Sequence, residues 1–206
     1  LAPRLRALFL DAGNTLIFPD WERIALWCSE AGDAVPVERL LHGNYRAVAA
    51  WDAFVTGQAP PPPEGFFGAA LEAAGIGPVA RQQVLRRIHE AERAGTLWLT
   101  VRPGTVEALQ ALRAMGLVLG VISNADGRVE QFLAATGLRP YLDFVIDSAR
   151  VGVEKPDPRI FQLALERAQA APEEALHVGD ICSVDVAGAR RAGIEAVVID
   201  PVGLYE

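Results

Sequence analysis

The chain reads as an α/β protein: a doubly wound parallel sheet with an all-helical domain inserted after the first strand. Three observations predict this. Five short apolar runs, 7–10, 117–122, 144–146, 175–178 and 196–199, have the length and two-sided apolarity of strands buried in a parallel sheet. The segments between the later runs carry helical periodicity, so strand and helix alternate through the second half. The stretch 18–97 differs, because Trp21, Ile24, Cys28 and Ala31, then Leu40, Leu41, Tyr45 and Val48, recur at helical spacing with no strand between them.

Taken in order, the first run stops at Asp11 and passes into Ala-Gly-Asn-Thr, a turn sequence. The helical insertion follows, broken at 60–63 by four consecutive prolines that read as a stiff connector between two helical pairs. Pro103 is expected to open a helix that Gly116 closes, Pro158 sits early in another, and Gly193 ends the last. The expected division is therefore a sheet domain from 1–17 and 98–206 and a helical domain from 18–97.

At 206 residues, 51% apolar and 22% charged, the chain can bury a substantial core. A net charge of -7 and a pI of about 5.1 repel nucleic acid and anionic lipid, so an anionic partner is expected to be small and locally bound. The opening apolar run is far short of a signal segment or of the roughly 20 residues that span a bilayer. No membrane partner is expected. Two distant cysteines, Cys28 and Cys182, make no disulfide framework or zinc motif, which fits a reducing cytoplasm. Lysine occurs once, at Lys155, while arginine supplies the other eighteen basic residues. Oligomeric state is left open by the sequence.

In an open parallel sheet, ligands bind beyond the carboxyl ends of the strands. There the sequence places Asp11, then Ser123-Asn124, then Lys155, then Gly179-Asp180 with Asp185 five residues on. The four pieces, DAGNT at 11–15, SN at 123–124, EKPDP at 154–158 and GDICSVD at 179–185, resemble in order the motifs of the haloacid dehalogenase superfamily. The insertion sits where that family's first subfamily carries its cap.

The resemblance implies a Rossmann-like core and a magnesium-dependent hydrolase, acting on a small phosphorylated molecule through an aspartyl-phosphate. By resemblance Asp11 would be nucleophile and metal ligand, the Gly13 carbonyl and Asp180 further ligands, and Asp185 a support for the metal or the lysine. Ser123, the amide of Asn124 and Lys155 would bind the transferring phosphoryl group, and Thr15 would brace the turn. The residue types suit this chemistry: a carboxylate can attack phosphorus, hard cations take oxygen ligands, and an ammonium neutralises phosphate charge. Asn14 stands where the family usually has glycine, and asparagine tolerates the positive φ such a turn needs.

The departure is Gly13, where phosphatases of the family carry a second aspartate as general acid and base. Such a group contributes about 10² to 10⁴ in rate, roughly 3 to 5 kcal/mol of barrier, so aryl, acyl or anhydride phosphates become the feasible substrates. Two alternatives follow: a weakly catalytic phosphate-binding or regulatory protein, and a 2-haloacid dehalogenase-type hydrolase, against which Asp180 argues. Phosphonatase chemistry needs a cap lysine, and the insertion has none. His177, inside an apolar run, reads as a satisfied core histidine, and His42 and His89 as helix-face residues.

Overall fold

A computed structural model describes residues 4–205; residues 1–3 and 206, the ends of the expected sheet domain, lie outside them. The chain divides into two compact units, one comprising the chain up to Phe18 with Leu99–Ile199, the other Pro19–Trp98 with the residues from Asp200 onward. The sequence expectation set the junctions at 17/18 and 97/98 and kept the C-terminal residues with the sheet. Phe18 and Thr100 instead pair as an antiparallel bridge, with N–H···O distances of 2.8 and 3.1 Å, which ties both crossing segments to the sheet unit.

The helical unit contains α1 (Trp21–Glu30), α2 (Val37–Val55), α3 (Gly65–Ala73) and α4 (Pro78–Arg93), with the proline run between α2 and α3. The Asp20 side chain caps α1 by accepting from the Arg23 N–H at 2.9 Å. One apolar cluster fills the unit: Ile24 and Cys28 of α1, Leu40 of α2, Leu71 of α3 and Val84 and Ile88 of α4 are almost fully buried. Burial, with Asp33 nearby, pushes the Cys28 thiol up to about 11, so Cys28 is a packing residue rather than a nucleophile. The Arg81 side chain is 15% exposed and pairs with Glu64 at 2.6 Å and Glu72 at 3.5 Å.

In the sheet unit β1 (Ala7–Leu10), β2 (Val118–Ser123), β3 (Phe144–Asp147), β4 (Ala175–Gly179) and β5 (Glu195–Val198) form one parallel sheet in the order β3-β2-β1-β4-β5. All four residues of β1 are buried, as a central strand covered on both faces requires. Helices α5 (Thr105–Ala114), α6 (Val129–Ala135), α7 (Ser148–Val151), α8 (Pro158–Ala168) and α9 (Ala187–Arg191) alternate with the strands. Helix α8 lays Ile160, Phe161 and Ala164 against Ala7 and Phe9 of β1 and Ile122 of β2. Asp157 caps it, accepting from the Arg159 N–H at 2.9 Å, and Pro158 takes the first helical position, where no N–H is needed.

The carboxyl edge of the sheet is held by a residue the sequence reading passed over. Asp147, last in β3 and buried, accepts from the N–H groups of Gly127 at 3.0 Å, Ala149 at 3.1 Å and Val129 at 3.3 Å. It thereby fixes the loop after β2 and the start of α6. Asp147→Ala orphans these donors, and a loss of about 2–3 kcal/mol is expected in urea unfolding of the metal-free protein.

Candidate active site

Four loops at the carboxyl edge of the sheet unit bring their polar side chains together. Asp11 follows β1, its N–H bonded to the Val178 carbonyl at 2.8 Å, so the backbone of the neighbouring strand sets its position. The chain then turns through Ala12, whose carbonyl accepts from the N–H groups of Leu16 and Ile17, both at 2.9 Å. Asn14 sits at φ 54, the left-handed conformation expected of it. Thr15 does not brace this turn through its side chain: its hydroxyl is buried without a hydrogen-bond partner, and backbone bonds close the turn instead.

Lys155 is the centre of the site. Its Nζ lies 2.5 Å from Asp11 Oδ1 and 2.7 Å from Asp185 Oδ1, and only 4% of the residue is exposed. Burial works against the ammonium, but the charges of Asp11 and Asp185 outweigh it and hold Lys155 well above its ordinary range. Burial also works against the Asp185 carboxylate, yet Lys155 and His177 hold it well below the usual carboxylate range. The pair Lys155–Asp185 is therefore charged throughout the physiological range.

Asn124 plays a part its place in the motif did not reveal. Its side chain donates from Nδ2 to the Lys155 carbonyl and accepts at Oδ1 from the Lys155 N–H, both at 2.8 Å. The carboxamide pins the lysine backbone to the end of β2. Ser123, the last residue of β2, is 5% exposed and stands in register with Asp147 of β3.

Asp180 follows β4 and is buried, with its Oδ2 accepting from Asn14 Nδ2 at 3.2 Å. Burial, reinforced by Asp11 and Asp185, raises it well above the usual carboxylate range. Asp11 is raised too, chiefly by burial. Asp185 lies in a π-helical turn, Cys182–Val186, and its Oδ2 accepts from the Ile181 N–H at 3.1 Å. Gly179 is required by this turn, because a Cβ there would overlap the Asp185 side chain.

Three carboxylates thus face one ammonium. Among the described residues no three His, Cys, Asp or Glu side chains form a metal-binding cluster by themselves. Asp11 and Asp180 offer carboxylate oxygens there, donors of the kind that suit a hard cation which keeps several of its waters.

A model of the haloacid dehalogenase-like hydrolases matches residues 5–193. The chain belongs to this family. The human haloacid dehalogenase-like hydrolase domain-containing protein 3 (Homo sapiens) is 45% identical over 105 residues, 50% of this chain and 42% of that protein. The phosphoserine phosphatase of Thermus thermophilus is 36% identical over 155 residues, 75% of this chain and 58% of that protein. Among solved structures, a 2-haloacid dehalogenase from Pseudomonas syringae pv. Tomato DC3000 superposes with a TM-score of 0.55 at 27% identity, covering 97% of this chain and 88% of that one. The chain spans less than half the length of the relatives first matched, 39%, 49% and 42%. No helix among the described residues is long and apolar enough to cross a membrane.

Of the expected site residues, the structure joins Asp11, Lys155 and Asp185 directly, and links Asn124 to Lys155. Asp180 lies close enough to Asp11 for charge repulsion. Two contributors escaped the sequence reading. Asn14 adds a side-chain bond to Asp180 to the backbone conformation expected of it, and His177, buried as expected of a core histidine, is satisfied at Nε2 by a site residue, Asp185 Oδ1, 3.0 Å away. A histidine inside an apolar run was the available signal.

The shifts set a pH dependence of opposite signs. Asp185, held low, stabilises the fold above the ordinary aspartate value of about 4, and that contribution is lost as pH falls through its folded value. Asp180, held high, contributes below about pH 4 and loses its contribution as pH rises through its raised value. In EDTA, urea midpoints are expected to decline as pH rises from about 4 toward neutrality, and Asp180→Asn is expected to flatten that decline. An unchanged slope in the variant removes Asp180 as its source.

Proposed function

We propose that this chain is a magnesium-dependent phosphohydrolase for a small phosphorylated molecule, working through an aspartyl-phosphate on Asp11. The observation that carries the reading is the buried Asp11 carboxylate with the Lys155 ammonium 2.5 Å away and Asp180 alongside. Kinship with a phosphoserine phosphatase supports the reaction class. The insertion serves as the cap, and the substrate it selects is a small molecule.

Lys155 occupies Asp11 Oδ1, which leaves Oδ2 to attack phosphorus. As the O–P bond forms, the bond to the leaving oxygen breaks and the leaving group departs with its electron pair. Water then hydrolyses the acyl-phosphate, returning the carboxylate and inorganic phosphate. Lys155, the Ser123 hydroxyl and the Asn124 backbone amide offset the charge of the phosphoryl oxygens. Asp11, Asp180 and the Gly13 carbonyl would hold magnesium, which when bound neutralises phosphate charge and orients the group for in-line displacement. Gly13 supplies no proton, so the leaving group must depart as a stable anion or take its proton from water.

The dehalogenase in Pseudomonas syringae favours a second reading, displacement of halide from a 2-haloacid by the same Asp11. Asp180 and its Asn14 contact weigh against it, since that displacement needs no cation. The two readings separate in one assay set. Turnover of p-nitrophenyl phosphate is expected to disappear with EDTA or Asp11→Asn, with no halide released from 2-chloropropionate. Gly13→Asp is expected to raise turnover of alkyl phosphates by up to about 10²-fold while changing aryl phosphates little. Phosphate-dependent stabilisation without turnover on a broad panel overturns the enzymatic reading in favour of a binding protein.

A further inference from the structure

His177 lies on β4, paired in register with Phe9 of β1 and Ala196 of β5, and is fully buried. The edge-on contact with Phe161, centroids 5.1 Å apart at 85°, fills space that a hydrocarbon could fill as well. A hydrocarbon would also leave nothing unpaired, whereas the Nδ1 of His177 is buried with no hydrogen-bond partner. What the imidazole adds is its second nitrogen, 3.0 Å from Asp185 Oδ1. An ionised carboxylate only accepts, so Nε2 must carry the proton and donate.

We propose that His177 is a positioning residue that fixes the Lys155 ammonium on Asp11 by locking the Asp185 carboxylate. Oδ1 of Asp185 takes donors from His177 and Lys155, Oδ2 takes the Ile181 N–H, and the carboxyl group sits in the space that a Cβ at position 179 would fill. Lysine is a point charge on a flexible stem, so its head goes where its acceptors are. Asn124 fixes only the Lys155 backbone. The head depends on Asp185, and through it on a histidine that donates to the same carboxylate oxygen as the lysine. The kinetic consequence rests on the proposed phosphohydrolase activity; the placement of the ammonium does not.

Because Lys155 is the chain's one lysine, it can be observed alone. Protein labelled with 15Nζ-lysine gives a single side-chain ammonium resonance, and acetic anhydride has a single ε-amine target, resolved from the N-terminal amine by peptide mass spectrometry. Glutamine at 177 reaches about as far as Nε2, and asparagine has the same amide on a shorter stem. In His177→Asn and His177→Leu the ammonium resonance is expected to broaden and acetylation of Lys155 to quicken by about tenfold or more, the scale seen when supporting hydrogen bonds are removed. His177→Gln is expected to stay close to wild type. On aryl phosphates kcat is expected to fall by about tenfold in the asparagine variant with KM little changed, and to recover with glutamine.

Equal acetylation and equal ammonium signals in folded glutamine and asparagine variants overturn the proposal, as does wild-type protection in a folded leucine variant. Should leucine prevent folding, the glutamine and asparagine pair decides. If wild-type protein turns over no phosphate ester, the phosphohydrolase reading fails, while resonance and acetylation still decide the role of His177.

Discussion

Moving an ammonium group out of water is unfavourable by several kcal/mol, and Lys155 is buried with its charge intact. Two carboxylates make that possible, Asp11 at 2.5 Å and Asp185 at 2.7 Å, and each is itself buried. The three groups are mutually dependent. Removing one member of a buried ion pair typically costs about 3–5 kcal/mol, because the survivor stays desolvated without a partner. The residues that surround the trio are best understood as devices that keep it assembled.

Those devices come from every part of the carboxyl edge. Asn124 ties the end of β2 to the Lys155 backbone, and Asp147 at the end of β3 gathers the amides of the loop between them. Asn14 reaches from the first turn to Asp180, joining the segments that follow β1 and β4. The polar network thus cross-links four strand ends that the parallel sheet already holds in register. Helix α8 and the apolar face of β1 supply the rigid base from which the network is built.

Much of this was legible in the residues. The apolar runs became strands because short two-sided apolarity has few other uses, and the ends differ by one residue at most. Asp11 and Asp180 could be picked out since polar residues directly after buried strands have a defined place in such folds, and Lys155 and Asp185 through the motifs EKPDP and GDICSVD that carry them. The side-chain roles were less legible. Asn124 bonds a backbone 31 residues away, and Asp147 bonds the amides of Gly127 and Val129, 20 and 18 residues back, pairings that exist only after the chain has closed on itself. His177 was concealed for another reason: burial of a histidine is compatible with inert packing, and only the 3.0 Å approach to Asp185 separates the two cases. Thr15 takes part in its turn through its N–H, 3.4 Å from the Ala12 carbonyl, while its hydroxyl has no partner.

The strand order carries a consequence for how the protein breathes. Asp11 leaves the central strand β1, whose neighbours β2 and β4 deliver Ser123 and Asp180, whereas β3 and β5 lie at the margins. On β5, Val197 is half exposed and alternate residues face solvent. Marginal strands with few buried contacts exchange their amide hydrogens through low-energy openings, and central ones only through near-global unfolding. Thermal fluctuation can therefore peel the β5 side of the sheet while the strand that leads into Asp11 stays closed.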